Sequence, residues 1–296
     1  MTVCTVTSRQ FHSGTGALIN SLVTSGYTGD IVIGYTDEAP KWTDEVNQKL
    51  QGHGITIHEH RLNSKKLPHY QKIDVIDVST HYQSDSVFYF DSDITIHKNW
   101  DFFENWVECG IAVCSDIYYI NMSPNHPVRH YWRELLHDVG LSARKVEGYA
   151  NSGFVGFKKK HRSIIDVWRK LIDKKSAERG PDEKQRPAEN GFHTFDQDLL
   201  NVALMAVDHP ISLAGLEGMS FNQTLGYMTH AIGKRKPWQR GYLRDLVFLG
   251  KPIPIATRYH WQHVHGPVKV AQAREKTLAN LELKVTAALS RLIARP

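Results

Sequence analysis

The chain has few cysteines and no long apolar run. Cys4, Cys109 and Cys114 are its only cysteines in 296 residues. They form neither a disulfide framework nor a metal-binding spacing, so a reducing, cytoplasmic setting is expected. No segment approaches the roughly 20 consecutive apolar residues that span a bilayer. The opening Met1-Thr2-Val3-Cys4-Thr5-Val6 enters a strand-like segment without a basic lead-in, so no signal peptide is expected. Internal repeats and low-complexity linkers are missing too, and one domain is expected. A strong excess of one charge sign is also lacking. The net charge of +5 suits an anionic ligand or a phospholipid surface and gives no argument for nucleic acid. With 41% apolar and 23% charged residues, nothing in the composition points to disorder.

What is present is an alternation of strand-like and helix-like segments. Val3–Thr7, Asp30–Thr36 and Gly54–His60 read as strands. Ala17–Ser25, Thr43–Leu50 and Tyr70–Tyr82 read as helices, and Ser8–Gly16 reads as a polar, Gly-containing loop. The run Val87-Phe88-Tyr89-Phe90 is apolar throughout and rich in aromatics, as expected of a strand buried on both faces of a parallel sheet. The rhythm predicts an α/β fold with a mostly parallel sheet. Past Asp93 it loosens. Gly110–Ser115 and Gly153–Phe157 read as strands. Helices are expected within Pro124–Val139, over Ser163–Lys175 and over Asp196–Ala206. Ala177–Asn190 is the most loop-like stretch. Pro210–Gly266 reads as short strands and loops, and a long helix is expected from Val268 to the end. The expected organisation is a domain over 1–267, with a nucleotide-binding half at 1–115 and a more varied half at 116–267, which the family resemblance described below would make the sugar and acceptor half, followed by a C-terminal helix at 268–296.

The buried run ends in Asp91-Ser92-Asp93. Ligands of α/β sheets collect at the carboxyl ends of strands. Two carboxylates one residue apart can turn toward one hard cation there, with substrate phosphates completing its shell. A solvated turn is the plain alternative, since Asp is common in turns. Three further stretches stand out: Tyr149-Ala150-Asn151-Ser152-Gly153, then Phe195-Asp196-Gln197-Asp198, then His263-Val264-His265-Gly266-Pro267-Val268-Lys269.

In this order the four stretches resemble the glycosyltransferases of GT-A fold, in particular the retaining family that includes glycogenin and bacterial lipooligosaccharide galactosyltransferases. The likeness runs from about Tyr70 to Lys269. It implies a Rossmann-like α/β domain that moves a hexose from a nucleotide sugar, with UDP the commonest carrier, to a hydroxyl acceptor. It also implies a divalent cation, Mn²⁺ or Mg²⁺, held by Asp91, Asp93 and His263. Lys269 would contact the donor diphosphate, with Gly266 letting the backbone approach. Asn151 would line the sugar or acceptor pocket. Asp196 would hold the donor hydroxyls, and Gln197 would lie near the anomeric carbon. Lys72 would lie over the donor, although the family more often has Arg there. Thr7 and Ser8 replace the usual Asn-Asp turn after the first strand.

The chemistry agrees with these roles. A nucleoside diphosphate leaves readily only when its developing charge is neutralised, and a cation, a Lys and backbone N–H groups do that. An oxocarbenium-like transition state needs carboxylate and amide oxygens nearby. Asp196 has a second reading, as a helix cap that complements the helix dipole.

The sequence also departs from the family. The usual Pro-Trp after the matched Lys is replaced by Val270-Ala271. A Lys236-Pro237-Trp238 occurs earlier, in a basic stretch with Lys234, Arg235 and Arg240 that reads as a phosphate-facing loop or a solvated face. His265 competes with His263 as a ligand. An inverting transferase with Asp116 or Asp198 as general base, a sugar nucleotidylyltransferase and a non-catalytic binding module stay open. The acceptor can be a carbohydrate, a lipid-linked molecule or another hydroxyl compound. The C-terminal helix, with its leucine-rich stripe and basic residues, reads as a packing or dimer-forming element or as a contact with a membrane surface.

Overall fold

The computed structural model describes residues 1–63, 70–179, 191–221 and 226–293. Its centre is a seven-stranded sheet in the order β3-β2-β1-β4-β7-β6-β8. The strands are β1 (Thr2–Thr7), β2 (Gly29–Tyr35), β3 (Ile55–Arg61), β4 (Ser86–Phe90), β6 (Ile111–Ser115), β7 (Ala150–Lys158) and β8 (Ile211–Ala214). β7 runs antiparallel to β4 and β6, and every other neighbouring pair is parallel. The expected mostly parallel α/β sheet is therefore present.

Strand side chains alternate between two cores, as the two-residue period requires. Cys4, Val32, Val87 and Tyr89 face one side, against α3 (Gln71–Ser79), α5 (Val128–Asp138), α6 (Ser163–Arg179) and α7 (Phe195–Ala206). Val3, Ile31, Phe88 and Phe90 face the other, against α1 (His12–Ser25), α2 (Thr43–Gln51) and α4 (Trp100–Glu108). β4 is buried along its whole length, which accounts for its unbroken apolar sequence.

A second, three-stranded sheet sits beside the end of β4. Its order is β5 (Ile94–Ile96), β10 (Met228–His230), β9 (Met219–Ser220). A small third core joins α8 (Tyr242–Leu249), α9 (Ile255–Gln262) and α10 (Ala273–Ile293) through Tyr242, Trp261, Val264, Ala279 and Leu283. Among the described residues, no helix is long and apolar enough to cross a membrane.

Three segments differ from the sequence reading. First, α1 begins at His12, so Gly14 and Gly16 lie inside a helix and not in a loop. A Cβ on Gly14 would come within 2.3 Å of the Ser92 carbonyl oxygen, and one on Gly16 within 2.7 Å of Val270. These glycines are packing points. Second, 210–266 contains two helices, α8 and α9, besides strands. Third, the C-terminal helix starts at Ala273. It buries Ala279 and Leu283 but leaves Leu278, Leu281, Val285 and Leu292 exposed, so the leucine-rich stripe is not one buried seam. Residues 180–190, most of the expected Ala177–Asn190 loop, lie outside the described residues.

Candidate active site

The end of β4 is where the chain brings its chemistry together. The Asp91 N–H donates to the Gly153 carbonyl on β7 (2.8 Å), and the Ile94 N–H closes a turn onto the Asp91 carbonyl (3.0 Å). The acidic pair is thus fixed between the two sheets. β10 then pairs antiparallel with β5, with His230 opposite Ile94. The Ala231 N–H donates to the Asp93 carbonyl at 3.1 Å. This register sets the His230 ring against the acidic turn.

His230 Nε2 lies 3.1 Å from Asp93 Oδ1 and 3.7 Å from Asp91 Oδ2. One ligand atom from each of Asp91, Asp93 and His230 lies within 4.8 Å of the other two. Two carboxylates and one imidazole are a suitable donor set for Mn²⁺ or Mg²⁺, with positions left for phosphate oxygens. A backbone glycine makes room for the ring: a Cβ on Gly153 would meet His230 Cε1 at 2.7 Å.

Two lysines flank this triad, Lys72 buried and Lys236 half-buried. Lys236 Nζ contacts Asp93 Oδ2 at 2.7 Å and the Ala231 carbonyl at 2.8 Å. Lys72 Nζ bridges Asp91 Oδ1 (3.1 Å) and Asp196 Oδ2 (3.0 Å), and it donates to Ser152 Oγ (3.2 Å). Burial would raise the Asp93 carboxyl, but His230 and Lys236 outweigh it and hold the group well below the usual carboxylate range. Burial would likewise lower the Lys72 ammonium, and the Asp196 and Asp91 carboxylates outweigh it and push it up. Both groups are firmly charged at neutral pH.

Two chambers meet at Lys72, Asp91 and His230. The first, about 380 Å³, is bounded by Thr7, Ser8, Phe11, Asp93 and Lys236. The second, about 590 Å³, is bounded by Asp116, Tyr118, Asn151, Ser152, Asp196 and Gln197. α7 enters the second chamber by its N-terminus. Ser152 holds both of its residues: Ser152 Oγ donates to Asp196 Oδ2 (2.8 Å), and Ser152 N–H donates to Gln197 Oε1 (3.1 Å). Asn151 Nδ2 donates to Asp116 Oδ2 (2.7 Å), whose other oxygen accepts the Tyr118 N–H (2.9 Å). Asp198 is buried and turned away from the chamber. It accepts from the Tyr149 hydroxyl (2.6 Å) and from the His193 and Thr194 N–H groups (2.7 Å each). Burial pushes its carboxyl up to about 6.

Thr7, Ser8, Lys72, Asp91, Asp93, Asn151, Asp196 and Gln197 therefore converge on one cleft. His263, Gly266 and Lys269 do not line it. Their segment is clamped to α1 by Asn20, whose Nδ2 donates to the carbonyls of His263 (2.7 Å) and Val268 (2.8 Å). A Cβ on Gly266 would lie 2.4 Å from Asn20 Oδ1. This glycine serves packing against α1. The His263 ring sits 6.4 Å from that of His97, and Lys269 is exposed. His230, Gly233 and Lys236, which have the same spacing, line the cleft instead.

The signal for these three was in the sequence. His230-x-x-Gly233-x-x-Lys236 has the same spacing as His263-x-x-Gly266-x-x-Lys269, and only the earlier copy is followed by Pro237-Trp238. That pair anchors the loop. The Pro237 carbonyl accepts from the Tyr242 hydroxyl and from Trp261 Nε1, and Trp238 Nε1 donates to the Gln10 carbonyl at 2.9 Å. The Trp238 ring also packs edge-on against Phe11 (5.6 Å).

By sequence, no family model and no curated protein matches the chain. By structure, the chain is similar to several glycosyltransferases, and its fold is that of the GT-A glycosyltransferases. The bifunctional glycosyltransferase WbbM matches 96% of this chain at TM-score 0.59 and 13% identity. The glycosyltransferase GlyE of Streptococcus pneumoniae TIGR4 matches 98% at TM-score 0.58 and 15% identity. The chain spans only 52% of the first protein and 63% of the second. The galactosyltransferase LgtC, in complex with donor and acceptor sugar analogs, is matched over 99% of its own length and 94% of this chain, at TM-score 0.54 and 15% identity.

Proposed function

We propose that the chain is a metal-dependent glycosyltransferase that moves a hexose from a nucleotide sugar, UDP being the favoured carrier, to a hydroxyl acceptor with retention at the anomeric carbon. One observation carries this reading. Asp91, Asp93 and His230 stand where two chambers meet, one at the end of β1 and one beneath Asp196 and Gln197. A diphosphate at the triad would have its nucleoside on the Thr7 and Ser8 side and its sugar on the Asp196 side. The bound cation would supply Lewis-acid neutralisation of the departing diphosphate.

The chain's own residues do the rest. Lys236 adds a fixed positive charge beside Asp93, and Lys72 adds one between Asp91 and Asp196, so both developing negative charge and the donor sugar meet preorganised groups. Asp196 accepts from sugar hydroxyls. Gln197, fixed by the Ser152 N–H, presents its amide beside the reacting carbon.

Retention is favoured over inversion by the state of the two candidate bases. Asp116 spends one oxygen on Asn151 and the other on Tyr118, and Asp198 is saturated by three donors. Asp198 also faces away from the chamber and cannot take an acceptor proton, whereas Asp116 lines the chamber with acceptor sites to spare, so the preference for retention rests on excluding Asp198. A nucleotidylyltransferase is disfavoured because the glycines after β1 sit inside a helix and not in a phosphate-binding loop. NMR of product formed from a UDP-hexose and a simple sugar acceptor tests the reading. An unchanged anomeric configuration supports it, and an inverted one overturns the stereochemical assignment.

A further inference from the structure

A third cavity, of about 590 Å³, lies across the 231–236 loop from the cleft and shares Ile232, Gly233 and Lys236 with it. Its apolar part is formed by Tyr242, Leu249 and Ile253, and of its five cations Arg235 and Lys236 are engaged by Asp245 and Asp93, which leaves Lys234, Arg244 and Lys251. Asp245, the one carboxylate lining it, is spent on Arg235, with Arg235 Nε on Asp245 Oδ2 at 2.5 Å. Arg244 stands 4.0 Å from the same carboxylate. Lys234 and Lys251 have no acidic partner among the described residues, so the rim keeps a positive excess. Beside it, the end of α8 turns its apolar side chains outward: Val247 is 56% exposed, Phe248 77% and Leu249 59%. Three consecutive apolar residues left in water next to unpaired cations match a surface that is itself apolar below and anionic above.

We infer that this cavity and the tip of α8 bind an anionic phospholipid surface. A headgroup phosphate is held by Lys234, Arg244 and Lys251, and Phe248 and Leu249 enter the acyl boundary. The neck shared through Gly233 then sets the sugar cleft against the bilayer, where a membrane-borne acceptor would be presented. The site is separate from the acidic triad, and binding to it needs neither donor nor metal, so its test stands apart from the glycosyl-transfer reading.

The test is co-sedimentation of the full chain with vesicles of phosphatidylcholine, with and without about a quarter phosphatidylglycerol. Binding is expected to the anionic vesicles and to weaken about tenfold or more in R244E/K251E, and similarly in F248S/L249S. These surface changes should leave donor hydrolysis as in the wild type. Glycerol phosphate should fail to displace the vesicles at concentrations where the charge and apolar variants both matter. Equal sedimentation of the variants and wild type would place the contact elsewhere. Equal binding to neutral vesicles would remove the phosphate claim, and displacement by glycerol phosphate alone would reduce the site to a free-anion pocket; each overturns the inference.

Discussion

Lys236 contacts Asp93 and lies beside the position for a diphosphate, so its charge should count chiefly while the donor bond breaks. Lys236→Ala is expected to lower kcat by about 10²–10³, measured as UDP release from the preferred donor. An effect confined to KM would place Lys236 in ground-state binding instead. Gln197→Ala should likewise lower kcat more than it raises the donor KM if, as proposed, the amide acts at the reacting carbon; equal changes would move it to donor binding. Protons matter at this scale too. Burial pulls His260 down to about 3 and His97 down to about 4, both below the ordinary 6.5. The unfolded chain therefore takes up these protons first, and the stability they protect is full above pH 6.5 and lost as pH falls toward 4. Asp198 has the opposite sign. Its carboxyl, raised to about 6, takes a proton in the folded chain first and offsets part of the loss. Each uncompensated proton is worth about 1.4 kcal/mol per pH unit. The Tm should fall between pH 7 and pH 5, and by less in His260→Gln; an equal fall in the variant would assign the pH dependence to other groups.

At the scale of elements, the site depends on how α1, the β4 turn and β10 touch. Gly14 on α1 meets the Ser92 carbonyl and Trp238, and Gly153 on β7 meets the His230 ring. Gly14→Ala puts a methyl against backbone and should destabilise the fold by about 1–3 kcal/mol, read by denaturant melting. Gly153→Ala should displace His230 and cost cation affinity with less loss of stability; unchanged cation affinity would show that the ring has another place to go. The central-sheet strands through β7, the openings of α2, α3, α6 and α7 and the acidic turn were legible in the sequence because each is a local pattern: β4 is apolar throughout, and Asp91 and Asp93 end it abruptly. His230 was not. Two segments share the His-x-x-Gly-x-x-Lys spacing, and the pairing of β10 with β5, more than a hundred residues apart, selects between them. Gly14 and Gly16 read as loop because a glycine packed against a carbonyl or a valine of a distant segment looks in sequence like a glycine in a turn. α9 was hidden for a similar reason. Its buried Ala256, Thr257, His260 and Trp261 lie on one helical face, but their β-branched and aromatic chemistry resembles strand or loop.

Across the whole molecule, the two sheets carry separate halves of one site. The central sheet supplies the acidic turn and the Asn151-Ser152 segment, and α3, packed on it, supplies Lys72. The small sheet supplies His230 and leads into the loop that ends on Lys236. A cation that joins them should stabilise the folded chain as any ligand of the native state does, by about 2.7 kcal/mol at a hundredfold excess over Kd. Mn²⁺ with UDP should therefore raise the Tm, and EDTA should reverse it. The most direct measurement is titration of Mn²⁺ in the presence of UDP into the wild type, His230→Ala and His263→Ala. The account predicts that the wild type and His263→Ala bind alike and that His230→Ala loses about tenfold or more in affinity. Retained affinity in His230→Ala, with loss in His263→Ala, would contradict it.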